Sequence, residues 1–286
     1  MRLSKSFKII IPICIAVALI VSFAAWVAWG NNHVELNSYK ITSERLPKAF
    51  NGFKIAHISD LHNAEFGEDN ETLIAMLKDA NPNVVFITGD MIDSRNLNLE
   101  IALSFAEKAV EIAPCYYVSG NHEARIKEYK NFKEKLIELG VVVLENSKQK
   151  LEVSGETITI IGIKDPSFSI TYETTEKEVM QTKLGKLTEE NDGYTVLLSH
   201  RPELFEIYLE NGVDLVFSGH AHGGQIRLPF IGGLIAPSQG FFPKYDAGIY
   251  SENNTNMVVS RGIGASVFPF RINNNPEIVL VELTAE

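Results

Sequence analysis

Five times between residues 53 and 222, a short and mainly apolar run breaks off into residues bearing a carboxylate, an imidazole or a side-chain amide. Residues 53–58 lead to Asp60 and His62, and residues 84–87 to Asp90. Residues 116–118 lead to Asn121 and His122, residues 195–198 to His200, and residues 213–217 to His220 and His222. Apolar runs this short, bounded by turn residues, read as strands buried on both faces, in the manner of a parallel sheet. Helical spacing separates the first three: one helix through Leu73, Ile74, Met76 and Leu77, capped by Asp69 or Asn70 and closed before Pro82, and a second over 97–112. The recurrence restricts the chain to an α/β fold, in which ligands gather beyond the carboxyl ends of the strands. Five of the seven histidines stand at such ends; His33 and His57 do not.

The flanks of this series are different. Residues 33–43 alternate loosely and read as a first, edge strand. Residues 150–153 and 157–161 form a hairpin about Ser154-Gly155-Glu156, a helix is expected over 175–187, and another over 204–209. Residues 257–260 and 278–283 read as closing strands. In Ser218-Gly219-His220-Ala221-His222-Gly223-Gly224, extended backbone would put both imidazoles on one side, about 6.6 Å apart.

Residues 9–29 carry no charge and follow Arg2, Lys5 and Lys8. A run of this length spans a bilayer as a helix and exceeds the apolar region of a cleaved signal peptide, so residues 1–30 are expected to be an uncleaved anchor. Trp26 and Trp29 suit the far interface. Only Lys40 and Arg45 follow within the window that sets orientation, which places the N-terminus in the cytoplasm and residues 31–286, one domain, outside. The first thirty residues hold three of the 26 Lys and Arg and none of the 36 Asp and Glu, so the remainder carries a formal −13. That disfavours a nucleic-acid groove, which needs a basic stripe. Cys14 lies in the span, and Cys115 alone allows no internal disulfide. Nothing in the chain bears on oligomeric state.

Taken singly, each site motif has a plain reading: a turn for Asp-x-His, a loop start for Gly-Asp, a helix cap for Asn-His, a surface histidine for His200. Together, Asp60-x-His62, Gly89-Asp90, Gly120-Asn121-His122-Glu123, His200 and Gly219-His220-x-His222 resemble, in order and spacing, the calcineurin-like metallophosphoesterases. The resemblance covers residues 50–286. Gly223 to Pro229, Arg261 to Gly264 and Pro269-x-Arg271-x-Asn273 are similar to the membrane-associated bacterial branch, which includes enzymes like UDP-2,3-diacylglucosamine pyrophosphatases and cell-wall-associated phosphoesterases. It implies a four-layer αββα sandwich of two mixed sheets. It also implies two divalent metal ions, one held by Asp60, His62, Asp90 and His222, the other by Asp90, Asn121, His200 and His220, with Asp90 bridging. A donor set without thiolate fits Mn²⁺ foremost, or Fe or Zn²⁺. Two such ions activate water and clamp the phosphoryl oxygens during in-line attack.

By the same resemblance His122 does not ligate metal but protonates the leaving oxygen or steadies phosphoryl charge. Asp93 matches the carboxylate that orients it in some relatives; a turn residue is its plain reading. The protein-phosphatase branch has an arginine where Ser94 stands, and Ala221 replaces a common threonine. Arg227, Arg261 and Arg271 are candidates for a phosphate clamp, with structural ion pairs as the alternative. Residues 228–235 are apolar and either pack on the core or face an acyl chain or bilayer. The expected activity is hydrolysis of a phosphodiester or pyrophosphate in a lipid-linked or cell-envelope substrate. A broad phosphomonoesterase and an envelope-binding module without turnover are the alternatives.

Overall fold

The computed structural model describes residues 5–189, 191–265 and 268–286; Arg2, counted above among the bases ahead of the span, lies outside them. Helix α1 (Lys5–Asn31) comes first. Its stretch Ile10–Asn31 is long and apolar enough to cross a membrane and is not buried against the rest of the chain.

The first half then runs β1 (Glu35–Ser43), β2 (Lys54–Ile58), α2 (Glu71–Ala80), β3 (Val84–Thr88), α3 (Leu99–Val110), β4 (Cys115–Val118), α4 (Tyr129–Glu138) and β5 (Val142–Val143). The second half runs β6 (Ser147–Val153), β7 (Glu156–Gly162), α5 (Glu176–Thr188), β8 (Thr195–Leu198), α6 (Phe205–Glu210) and β9 (Leu215–Ser218). Four two-residue strands follow, β10 (Arg227–Leu228), β11 (Gly232–Gly233), β12 (Ile235–Ala236) and β13 (Gly240–Phe241). The chain closes with β14 (Gly248–Glu252), β15 (Thr255–Val259) and β16 (Glu277–Ala285).

Two six-stranded sheets result, ordered β1-β16-β2-β3-β4-β5 and β14-β15-β9-β8-β7-β6. Each is mixed: β16 runs antiparallel to β2 in the first, and β14 and β6 are antiparallel edges of the second. The expected edge strand is β1, paired in parallel with β16. The two closing strands part company, β15 joining β9 and β16 crossing back to lie between β1 and β2.

The apolar runs lack polar alternation because both of their faces are covered. Along β3, Val84 and Phe86 face the second sheet, while Val85 and Ile87 face α2, α3 and α4. Along β9, Leu215 and Phe217 face the first sheet and Val216 packs toward α5 and α6. The order helix, sheet, sheet, helix is therefore the four-layer sandwich. Each buried Phe or Ile at the middle layer contributes roughly 1.5–3 kcal/mol.

Local signals explain the helix starts. Thr175 and Glu178 form a reciprocal capping box that opens α5. Asn98 caps α3 by accepting from Glu100 N–H at 3.1 Å. Asn70 precedes α2 as expected but does not cap it with its side chain. Its amide instead accepts from Phe66 N–H and donates to Ala64 O, bracing the turn before the helix.

Candidate metal centre

Strands β2, β3, β4, β8 and β9 all deliver their next residues to one end of the sandwich. Among the described residues, two fully buried clusters of donor atoms lie there, Asp60 with His62 and His222, and Asp90 with His200 and His220; a third group, His62 with His122 and the half-buried Asp93, adjoins them. In the first, His222 Nε2 is 3.2 Å from Asp60 Oδ1 and 3.2 Å from His62 Nε2. In the second, His200 Nε2 is 3.2 Å from Asp90 Oδ2. His62 Nε2 lies 3.5 Å from that same Asp90 oxygen, so Asp90 stands between the clusters. Asn121 is buried beside them.

The loops carrying these residues are cross-linked by their own backbone. Asp60 N–H donates to Gly89 O, His62 N–H to Asp90 O, and Gly219 N–H to His200 O. His122 N–H donates to Asp90 Oδ1 at 2.7 Å, and His220 N–H to Asp60 Oδ2 at 3.0 Å. Glu123 is the hub. Fully buried, its carboxylate accepts from Gly120, Met91 and Asp90 N–H at 2.7, 2.8 and 2.9 Å. Burial and the Asp90 charge push its carboxyl up to about 7, against the pull of the backbone donors. Its role was missed in the sequence because a glutamate after Asn-His gives no local sign of what it will bind.

The expectation that His220 and His222 sit in extended backbone fails. Strand β9 ends at Ser218, and both histidines adopt left-handed backbone, φ 64° and 49°. The turn sends the two imidazoles to different clusters. Asp60, His62 and Asp90 are left-handed as well, at 53°, 46° and 50°. Such residues are costly outside special sites. The close approach of strand ends also needs small residues: a Cβ on Gly219 would collide with Ser59 Oγ and Asp60 Oδ2.

The donors fit divalent cations. Asn121 Oδ1 and His200 Nε2 are buried atoms with no hydrogen-bond partner, a costly state unless another group satisfies them. His200 Nδ1 faces Thr88 O at 2.7 Å, so Nδ1 carries a proton and Nε2 is the ring nitrogen turned toward Asp90. Two imidazole nitrogens 3.2 Å apart, as in His62 and His222, also suit a cation between them. Asp90 lies far below the ordinary carboxylate range; burial opposes this, and His200, His62 and His122 outweigh it.

His122 stacks edge-on against His62 with ring centroids 4.5 Å apart. Ser94 N–H donates to its Nδ1 at 3.0 Å, with Ser94 Oγ at 3.1 Å and Asp93 Oδ1 at 3.4 Å. Asp93 is itself held by Arg95 at 2.6 Å. Burial pushes His122 down to about 4, with Asp90 acting in the opposite sense.

The three candidate arginines are not gathered at the cleft. Arg227 pairs with Asp246 at 3.0 Å, and Arg261 with Glu277 and Glu35 at 2.9 and 2.7 Å. Arg271 is buried behind His222, donating to Arg261 O and Gly264 O. The cleft over the clusters, about 390 Å³, is lined instead by Arg201 and Arg125 together with Asp90, Asn121, His122, His220 and His222. Arg201 is anchored by Asp165 at 2.6 Å and reaches His220 Nε2 at 3.2 Å. Neither arginine stood out in the sequence, since a basic residue in a loop carries no periodic or spacing signal.

A sandwich of two mixed sheets with paired carboxylate–imidazole clusters beyond its strand ends defines a metal-dependent hydrolase of phosphate esters. The chain belongs to the calcineurin-like phosphoesterase family, whose model matches residues 53–224. It is 31% identical to YkuE, an uncharacterized metallophosphoesterase of Bacillus subtilis, over 87% of this chain and 85% of that one. It is 28% identical to the phosphodiesterase YaeI of Escherichia coli, over 81% of this chain and 82% of that one. Among solved structures, TT1561 of Thermus thermophilus shares the fold at TM-score 0.52 and 15% identity, over 74% of this chain and 90% of that one.

Proposed function

We propose that the chain is a two-metal phosphodiesterase anchored to a membrane by α1. Asp60, His62, Asp90 and His222 hold one cation; Asp90, Asn121, His200 and His220 hold the other, with Mn²⁺ the favoured ion. The observation that carries the reading is the pair of buried clusters meeting at Asp90 on the floor of one cleft. When bound, two such ions activate water and neutralise phosphoryl charge.

The protein's own residues do the rest. With Ser94 N–H donating to Nδ1, a neutral His122 carries its proton on Nε2 and holds it as a hydrogen-bond donor to the phosphoryl or leaving oxygen, steadying the charge that develops there. Ser94 fixes the ring for that task, and Asp93 holds the turn that carries Ser94 by accepting from Arg95 N–H. Arg201 and Arg125 supply the positive wall of the cleft for the substrate's phosphate. Asp165 and Ser167 hold Arg201 in place, so it costs little ordering entropy on binding. A cleft this size takes more than a phosphate monoanion, and the similarity to a relative named as a phosphodiesterase points the same way. The substrate is lipid-linked or part of the cell envelope, and the excess of bases ahead of α1 favours a domain outside the cytoplasm.

The test is hydrolysis by the purified full chain in detergent with Mn²⁺, comparing bis(p-nitrophenyl) phosphate with p-nitrophenyl phosphate. Turnover of the diester, abolished by chelator and restored by Mn²⁺, is expected. Preference for the monoester would favour a phosphomonoesterase, and no hydrolysis of any phosphate ester would favour a binding module.

A further inference from the structure

The end of α1 is built into the loops around the cleft. Asn31 Nδ2 donates to Arg271 O at 2.8 Å, and Arg271 N–H donates to Asn31 Oδ1 at 2.7 Å. Trp29 stacks on His33 with ring centroids 4.7 Å apart. From Arg271 the connection continues without a break. Gln225 Nε2 donates to Phe268 O and Phe270 O, Arg227 N–H to Ile272 O, Leu234 N–H to Ile226 O, and Phe242 N–H to Leu234 O.

This hydrogen-bonded unit exposes a concentration of large apolar side chains. Phe230, Ile231, Phe241 and Phe242 are each more than 60% exposed, and Phe268 and Phe270 nearly half. Six such residues in one unit exceed the single scattered apolar residues ordinary on a soluble surface. The same unit reaches the cleft, because Pro237 and Ser238, in the turn between β12 and β13, line it.

We infer that this surface seats on the lipid bilayer and turns the metal cleft toward substrates held at the membrane interface. The inference rests on the reading of α1 as a membrane span. Ile10–Asn31 is 22 residues long, about 33 Å as a helix against a hydrocarbon core of about 30 Å. Asn31 and its partner Arg271 therefore sit at headgroup depth, on whichever side the domain lies. The side chains that flank Arg271 and those on the loops bonded to it meet the interface there. The domain's negative charge excludes broad electrostatic adhesion to anionic lipid, so contact falls to apolar side chains. Phe and other large apolar side chains are what a surface element buries at the boundary of headgroups and acyl chains. The ligand class is a phosphoester whose hydrophobic part stays in the bilayer while its phosphate enters the cleft.

The test uses the full chain carrying Cys14→Ser, which leaves Cys115 buried as the native thiol. Single Phe230→Cys, Phe242→Cys and Lys150→Cys variants take a nitrobenzoxadiazole dye in phosphatidylcholine vesicles, with or without nitroxide on shallow acyl carbons. Quenching of the dye at 230 and 242 but not at 150, on edge strand β6, is expected. In parallel, Phe230→Ser with Phe242→Ser should raise KM for a vesicle-borne lipid phosphoester about tenfold or more, while kcat/KM for the soluble nitrophenyl diester stays unchanged. Unquenched labels on a chain that resists alkaline carbonate extraction overturn the inference alone, and a detergent-stable dimer in that case assigns the surface to a second copy. Extraction by carbonate overturns the membrane-span reading and the inference with it.

Discussion

Substituting alanine at Gly219 adds one methyl group where the structure has no room for it. The new Cβ would run into Ser59 Oγ and Asp60 Oδ2 and lie 2.8 Å from Ser59 Cβ. Neither neighbour can swing aside without giving up a hydrogen bond. Ser59 is fully buried and bonded to Thr88 through its hydroxyl, and Asp60 is fully buried and accepts from His220 N–H. Overpacking of this kind costs about 1–3 kcal/mol, and loss of a hydrogen bond to a charged acceptor about 1.5–3 kcal/mol more. The expected loss of about 3–5 kcal/mol corresponds to a fall in Tm of roughly 10 °C for a domain of this size. Because Asp60 moves, bound metal falls too. Gly185 is the control: inside α5 an added Cβ meets only Asn211 Oδ1, at 3.5 Å. There the methyl group should raise stability by about 0.5–1 kcal/mol, from helix propensity alone. Thermal unfolding and metal analysis of both variants decide the matter. A Gly219→Ala protein with unchanged Tm and full metal content would refute the steric argument.

Asp90→Ala is expected to empty both clusters, whereas His122→Ala should keep its metal and lose turnover by about 10²–10⁴-fold; metal loss from His122→Ala equal to that from Asp90→Ala would show the role assignment to be wrong. Phe217→Ala removes a ring held edge-on by His57 and Phe86, with centroids 5.1 and 5.2 Å away, and should lower the urea-derived stability by about 3–5 kcal/mol. A loss under about 1 kcal/mol would mean that the sheets do not interdigitate there. Burial pushes the Cys115 thiol up to about 12, so in a Cys14→Ser background Ellman's reagent at pH 8 should react only as urea unfolds the chain. The unfolded thiol ionises near 9 and the folded one does not, so this group's contribution is complete below pH 9 and declines as pH rises toward 12.

The proposed ligands were legible as candidates because each sits just after a strand, and strands buried on both faces declare themselves by composition. The sequence missed what depends on pairing at a distance. Whether β15 and β16 share a sheet is decided by partners far along the chain, and a mainly apolar run such as 278–283 fits either. The two-residue strands β10 to β13 have no period long enough to read. The His220–His222 geometry was wrong for a specific reason: extended backbone is the default after a strand, and only the left-handed φ at both positions, forced by the crowded strand ends, sends the rings apart.

That backbone geometry bears on how the site is held. Five of the residues proposed as ligands occupy a conformation that costs on the order of 1–3 kcal/mol each, and Asp and His are among the few side chains that tolerate it. The cost is offset by bonds among the loops themselves. Asp60 fixes the backbone of His220 across 160 residues of sequence, Asp90 fixes that of His122, and Glu123 clamps the loops after β3 and β4 to each other. Asp60 and Asp90 therefore each serve twice, as a charge at the site and as the acceptor that shapes a neighbouring loop. A substitution such as Asp60→Asn keeps an oxygen for a cation but puts an amide donor against His220 N–H or against the imidazoles. The site is consequently less tolerant of isosteric change than its donor list alone suggests, and the intolerance originates in backbone hydrogen bonds rather than in coordination chemistry.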